Sequence, residues 1–214
     1  MIDVRMFTVG PVQENCFIVR EKGSERALVI DPGDEPERLI EAIDALGVKV
    51  EAILVTHTHF DHVGAVTPVA KATGAPVYCP ELETQVLANI MDYVPWPGFG
   101  PFESYDADHT VAGGESLELA GLTIDTIFTP GHSPGHVTYS IRDEDALFSG
   151  DVLFQGSVGR VDLPGGDWPT LLKSIESLVD AFDPETTVYP GHMGITTLGR
   201  ERATNPFLRE LAGN

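Results

Sequence analysis

Positive charge is scarce in this chain. Lysine occurs only at Lys22, Lys49, Lys71 and Lys173, and 13 lysines and arginines face 33 aspartates and glutamates, for a net charge of −20. Such a surface repels polyanions, so neither nucleic acid nor an anionic membrane is expected as a partner. Cysteine is nearly absent too. Cys16 and Cys79 stand alone, with no spacing that suits a metal finger or a redox pair. Each reads as a buried free thiol in a reducing compartment. No apolar run is long enough for a membrane helix. The start, Met1-Ile2-Asp3-Val4-Arg5, lacks the basic-then-apolar pattern of a secretory leader, so a cytoplasmic location is expected.

What is present is an ordinary core. The 214 residues are 42% hydrophobic, and no Ser-, Gly- or Pro-rich linker divides them, so one domain over residues 1–214 is expected. Val4–Val9 alternates, and with the strands Asn15–Val19 and Ala27–Ile30, separated by turn residues at short intervals, it reads as a β-meander. Asp34 is placed to cap a helix with Pro36 in its first turn and Gly47 at its end. Val50–Val55 is a buried strand, Val63–Thr73 a helix, Ala75–Cys79 a strand, and Glu81–Met91 has helical spacing. Leu117–Leu119 and Leu122–Phe128 form a hairpin turning at Ala120-Gly121. Val137–Ile141, Ala146–Phe148 and Thr187–Tyr189 are strands. Leu171–Phe182 is a helix capped by Asp167, with Pro169 in its first turn. Arg200–Leu211 is a last helix, interrupted at Asn205-Pro206. This order suits two sheets packed face to face with helices outside.

Histidine and aspartate cluster where strands end. Thr56-His57-Thr58-His59-Phe60-Asp61-His62 follows one strand, and Thr129-Pro130-Gly131-His132 another. Ser149-Gly150-Asp151 and Tyr189-Pro190-Gly191-His192 end two more. Imidazole and carboxylate both suit zinc, iron and manganese. A solvated polar loop would rarely gather three histidines in six positions. His57, His59, Asp61, His62, His132, Asp151 and His192 supply enough ligands for two divalent ions with one carboxylate shared. His136, after a glycine turn, reads as a hydrogen-bonding neighbour of the site, and His109 as a surface loop residue. Arg160 and Asp162 read either as a pair fixing their own loop, the favoured reading, or as groups that orient substrate. The segment Tyr93–Phe102, rich in proline, glycine and aromatics, either borders a cleft or folds its rings onto its own domain.

The pattern HxHxDH, then His, Asp and His, resembles the metallo-β-lactamase superfamily over nearly the whole chain. Thr-Pro-Gly-His-Ser-Pro-Gly-His, Phe-Ser-Gly-Asp, the Ser157–Asp167 segment and Asn205-Pro206-Phe207-Leu208 resemble its short, glyoxalase II-like hydrolases. The resemblance implies an α/β fold, an αββα sandwich of two mixed sheets. It implies His57, His59 and His132 on one metal, Asp61, His62 and His192 on the other, and Asp151 bridging. Two divalent ions, zinc first with iron or manganese as alternatives, would lower the pKa of a shared water and present hydroxide to a carbonyl carbon. Asp61 and Asp151 are the catalytic candidates, Asp61 hydrogen-bonding the nucleophile while it ligates. The implied substrate is a small-molecule acyl-thiol, S-D-lactoylglutathione or a relative. Longer glyoxalase II enzymes hold glutathione with a basic C-terminal helical region; no such region is expected here, so the resemblance leaves the thiol carrier open. A second resemblance, to persulfide dioxygenases around Gly159-Arg160-Val161-Asp162, implies a single iron on His57, His132 and Asp151. Lactone and β-lactam hydrolysis also occur on this scaffold.

Overall fold

Alternating side chains sort the opening strands into two faces. The computed structural model describes residues 1–94 and 96–208. It places β1 at Ile2–Val9, β2 at Glu14–Glu21 and β3 at Arg26–Ile30 in an antiparallel meander. β4 (Lys49–Leu54), β5 (Val77–Pro80) and β6 (His109–Val111) add in parallel, giving the order β1-β2-β3-β4-β5-β6. A second sheet begins with β7 (Ser116–Leu119), β8 (Leu122–Phe128), β9 (Val137–Ile141) and β10 (Ala146–Gly150). After a separate short hairpin of β11 (Leu153–Phe154) and β12 (Ser157–Val158), β13 (Thr187–Pro190) and β14 (Thr196–Thr197) complete it. Its order is β14-β13-β10-β9-β8-β7.

The period of two explains the layers. Phe17, Val19, Leu28, Ile30, Ala52 and Leu54 face Ile124, Tyr139, Ile141 and Phe148 of the other sheet. Their alternates, Ile18, Val29 and Ile53, pack under α1 (Pro36–Leu46) and, beyond the short α2 (Phe60–Val63), α3 (Val66–Thr73). On the far side Leu147 and Val188 lie beneath α5 (Trp168–Ala181), which follows the one-turn α4 (Thr84–Leu87) in the chain. Helix, sheet, sheet, helix is the αββα order expected. Both cysteines are buried and unpaired. No helix among the described residues is long and apolar enough to cross a membrane.

Tertiary contacts override several local expectations. The helix expected over Val63–Thr73 is broken at Gly64-Ala65. Ala65 N–H donates to the Pro32 carbonyl at 3.0 Å instead of to a helical one. Gly64 also lies too close to the Phe102 ring for any side chain. Glu81–Met91 is not one helix. It is a 3₁₀ turn at Glu81–Glu83, α4, and a second 3₁₀ turn at Ile90–Asp92, because the Glu83 carboxylate is drawn inward. Asp34 does not cap α1. Glu35 holds that position with φ 51°, and Asp34 accepts only from the Glu35 N–H at 2.7 Å. His109 lies on edge strand β6 rather than in a loop, exposed, with its ring 4.5 Å from that of Tyr78. The last helix, α6 (Leu198–Thr204), starts early because Thr197 caps it. It breaks at Asn205-Pro206 as expected; residues 209–211 of the expected helix lie outside the described residues.

Candidate metal centre

The loops after β4, β8, β10 and β13 bring their histidines and aspartates to one edge of the sandwich. His57 Nε2, His59 Nδ1 and His132 Nε2 form a triangle with sides of 3.1, 2.8 and 3.2 Å. Asp61 Oδ2 stands 3.3 Å from His192 Nε2 and 4.0 Å from His62 Nε2. Asp151 lies between the groups. Its Oδ1 is 3.2 Å from His62 Nε2, and its Oδ2 is 3.4 Å from His132 Nε2 and 3.5 Å from His192 Nε2. All seven residues singled out in the sequence therefore converge.

The donor set fits cations. His62 Nε2 and Asp151 Oδ1 are buried and make no hydrogen bond, a costly state for polar atoms unless a metal is the partner. The outward-facing ring nitrogens are engaged. His132 Nδ1 donates to the Arg160 carbonyl at 2.7 Å and His192 Nδ1 to the Gln13 carbonyl at 3.2 Å. Thr56 Oγ1 gives its proton to Asp31 Oδ2 at 2.6 Å, so it accepts from His57 Nδ1 at 3.1 Å. His62 Nδ1 also donates to Asp31 Oδ2, at 3.0 Å. These outer partners fix four tautomers and leave Nε2 lone pairs pointing inward.

Asp31, Thr56, Glu14 and Glu83 were not singled out in the sequence. Asp31, at the end of β3 with φ 48°, also accepts from the Thr56 N–H at 2.7 Å. Its signal was legible: Asp31-Pro32-Gly33 is another strand end pairing an aspartate with a glycine. Glu83 ties two ligand loops together. Its carboxylate accepts from Thr58 N–H at 2.6 Å, Thr58 Oγ1 at 2.8 Å and Gly135 N–H at 2.9 Å, and from Ser133 Oγ. Glu14 is fully buried 3.8 Å from His62 Nδ1 with neither oxygen hydrogen-bonded. Gly191 admits a close approach: a Cβ there would collide with Asp151 Oδ1 and with His62 Cε1.

Burial and neighbouring charge divide the titrating groups. Burial, reinforced by His62, holds His57 well below the usual histidine range. Burial and the adjacent His132 bring His59 to about 4. Burial also disfavours charge on His62, yet Asp151, Asp31 and Asp61 outweigh it and hold this ring well above its usual value. Asp151 is opposed by burial but pulled well below the carboxylate range by His62, His192 and His132. Burial pushes Glu14 well above that range despite His62 beside it.

The flanking residues take structural roles or line a cleft. His136 stacks on His57 at 5.0 Å, accepts from the Asp151 N–H at 3.0 Å and bonds Thr129 Oγ1 at 3.0 Å, so it supports the site without facing it. Arg160 and Asp162 form the expected pair, with two bonds of 2.6 and 2.7 Å. Both readings of the aromatic loop hold. Phe99 and Phe102 fold onto Phe60, at ring distances of 4.8 and 5.7 Å, while Tyr93, Val94 and Trp96 wall a cleft of about 730 Å³ over His59, Asp61, His132, Asp151 and His192.

Residues 9–192 match the model of the metallo-β-lactamase superfamily. Hydroxyacylglutathione hydrolase GloC of Haemophilus influenzae is 32% identical over 209 residues, 97% of this chain and 98% of that protein. Two solved structures are also similar. BLEG-1 B3 metallo-β-lactamase is 38% identical with a TM-score of 0.90, covering 97% of this chain and 99% of that one. TTHA1623, solved in a di-iron-bound form, is 42% identical with a TM-score of 0.84, covering 96% and 100%. This chain belongs to the metallo-β-lactamase superfamily and is a metal-dependent hydrolase.

Proposed function

We propose that this protein hydrolyses thioesters in the manner of glyoxalase II, acting on S-D-lactoylglutathione or a related acyl-thiol at a two-metal centre. The observation that carries the reading is the pair of ligand sets joined by Asp151 under one cleft. Similarity to GloC supports the thioester. His57, His59 and His132 would hold one ion, Asp61, His62 and His192 the other, and Asp151 would serve both. Bound there, the pair supplies an activated water and a Lewis acid for the substrate carbonyl. Zinc, iron and manganese all suit such an N/O donor set, and the di-iron form of TTHA1623 keeps iron in view.

The chain's own groups do the rest. Asp61 lines the cleft and accepts a hydrogen bond from the attacking water, orienting it toward the acyl carbon. Buried His57 and His62 keep bulk solvent from the cluster's inner side. In the net reaction a C–O bond forms and the C–S bond breaks. Water supplies the hydroxyl, and its proton ends on the departing thiolate or in solvent. A thiolate is a good leaving group and needs no dedicated side-chain acid.

A second reading, β-lactam hydrolysis, is favoured by the likeness to BLEG-1; the same centre could attack an amide carbonyl. The mononuclear dioxygenase is disfavoured because Asp61, His62 and His192 also converge. Metal-loaded protein should release free thiol from D-lactoyl thioesters of glutathione or N-acetylcysteamine well above a His59→Ala control, and more efficiently than it opens a β-lactam ring. Thiol release no faster than the control from either thioester defeats the proposal.

A further inference from the structure

The cleft's walls have a chemistry of their own. Tyr93, Trp96 and Met193 are 52%, 39% and 55% exposed, and they line the cleft with Phe154, Val158 and Leu163. Large apolar side chains left open around a reaction centre mark a surface that apolar ligand covers. Met193 holds a left-handed backbone, φ 69°, directly after the ligand His192. Asn15 secures that turn by donating to the Pro190 and Met193 carbonyls at 3.0 and 2.9 Å.

Fixed cations are nearly missing from these walls. Among the described lining residues, Arg160 is the single lysine or arginine, and Asp92 adds a negative charge. The charge of Arg160 is already balanced. Its Nε and Nη2 bond Asp162 by the two bonds already given, and its guanidinium carbon lies 5.7 Å from the Trp96 ring centroid. Among the described residues, a carboxylate carried into the cleft away from the metals would meet a single cation, and that one is already paired with Asp162. Glutathione carries two such carboxylates.

We infer that the cleft selects acyl-thioesters whose thiol carrier is uncharged, its carbon chain lying against Trp96, Val158 and Met193, rather than those of glutathione. This rests on the thioesterase reading above and narrows it. The stacked Arg160 serves as wall, not as anion clamp.

The test compares D-lactoyl-N-acetylcysteamine with S-D-lactoylglutathione on metal-loaded protein. In parallel, calorimetry measures binding of the uncleavable thioethers S-butyl-N-acetylcysteamine and S-butylglutathione. The neutral thioester should show a KM lower by about tenfold or more, because unpaired carboxylates resist desolvation. Its thioether should bind more tightly in the same proportion. Trp96→Ala should raise KM for the neutral thioester with metal content unchanged, and Arg160→Gln should not weaken the glutathione thioester. If neither thioester is cleaved while the neutral thioether still binds better, the reaction is wrong and the selectivity stands. Tighter binding of S-butylglutathione, or a rise in KM for S-D-lactoylglutathione in Arg160→Gln, overturns the inference.

Discussion

At the scale of single residues, Asp31 governs two ligands it does not replace. One carboxylate oxygen takes the Thr56 hydroxyl and His62 Nδ1, and through Thr56 it orders His57. Asp31→Asn keeps the shape but places an amide donor where an acceptor is needed, turning His62 toward the wrong tautomer. Metal affinity should fall by about 10- to 100-fold, read by chelator competition; unchanged affinity would remove Asp31 from the centre. Protons give a second prediction at this scale. His62 and His192 are both held above the usual histidine range: burial opposes the charge, but Asp151 and the other carboxylates prevail. Both nitrogens must lose a proton to bind metal. Uptake near neutral pH should therefore release protons, and affinity should climb with pH through that region. Calorimetry in buffers of different ionisation enthalpy would expose the opposite sign.

Among the elements, the loops after β4 and β8 carry the first candidate ligand set, and nothing in their own sequences locks them together. Glu83 does so from the 3₁₀ turn after β5, with four donors on one buried carboxylate. Glu83→Gln replaces an acceptor oxygen with a donor and leaves at least one buried N–H or O–H unpaired. The cost is about 2–3 kcal/mol, or a fall in Tm of roughly 4–12 °C for a chain of this size. A melt indistinguishable from the parent would show that the loops hold without it. The same element shows where pattern reading stops. Leu82, Val86, Leu87, Ile90 and Met91 have helical spacing, yet a single long-range carboxylate bends the segment out of a helix. Strands were more legible because alternation is local and repeated. β2, β3 and β4 show one face to the facing sheet and the other to the helices. The two-residue strands β11, β12 and β14 are too short to carry a period.

For the whole molecule, charge is the governing quantity. A net −20 on 214 residues opposes the compact state by self-repulsion. Raising KCl from about 0.01 to 0.3 M shortens the screening length from roughly 30 Å to under 10 Å. Tm should rise over that interval for metal-free protein. A flat or falling Tm would mean that the acidic surface is already neutralised within the fold. The metal centre sits inside this negative field, where carboxylates and neutral imidazoles together favour cations.

The sequence by itself determined the candidate ligand residue types, their places at strand ends and the sandwich that positions them. Those properties follow from side-chain chemistry, alternation and turn residues, which are all local. Only the tertiary structure decided which nitrogen of each ring faces inward, because a tautomer depends on partners distant in sequence: Arg160 for His132, Gln13 for His192, Asp31 for His62. It likewise decided that the Arg160 guanidinium, paired with Asp162 as expected, lies over the Trp96 ring, and that Trp96, Phe154, Val158, Leu163 and Met193 stand together in the wall of the cleft.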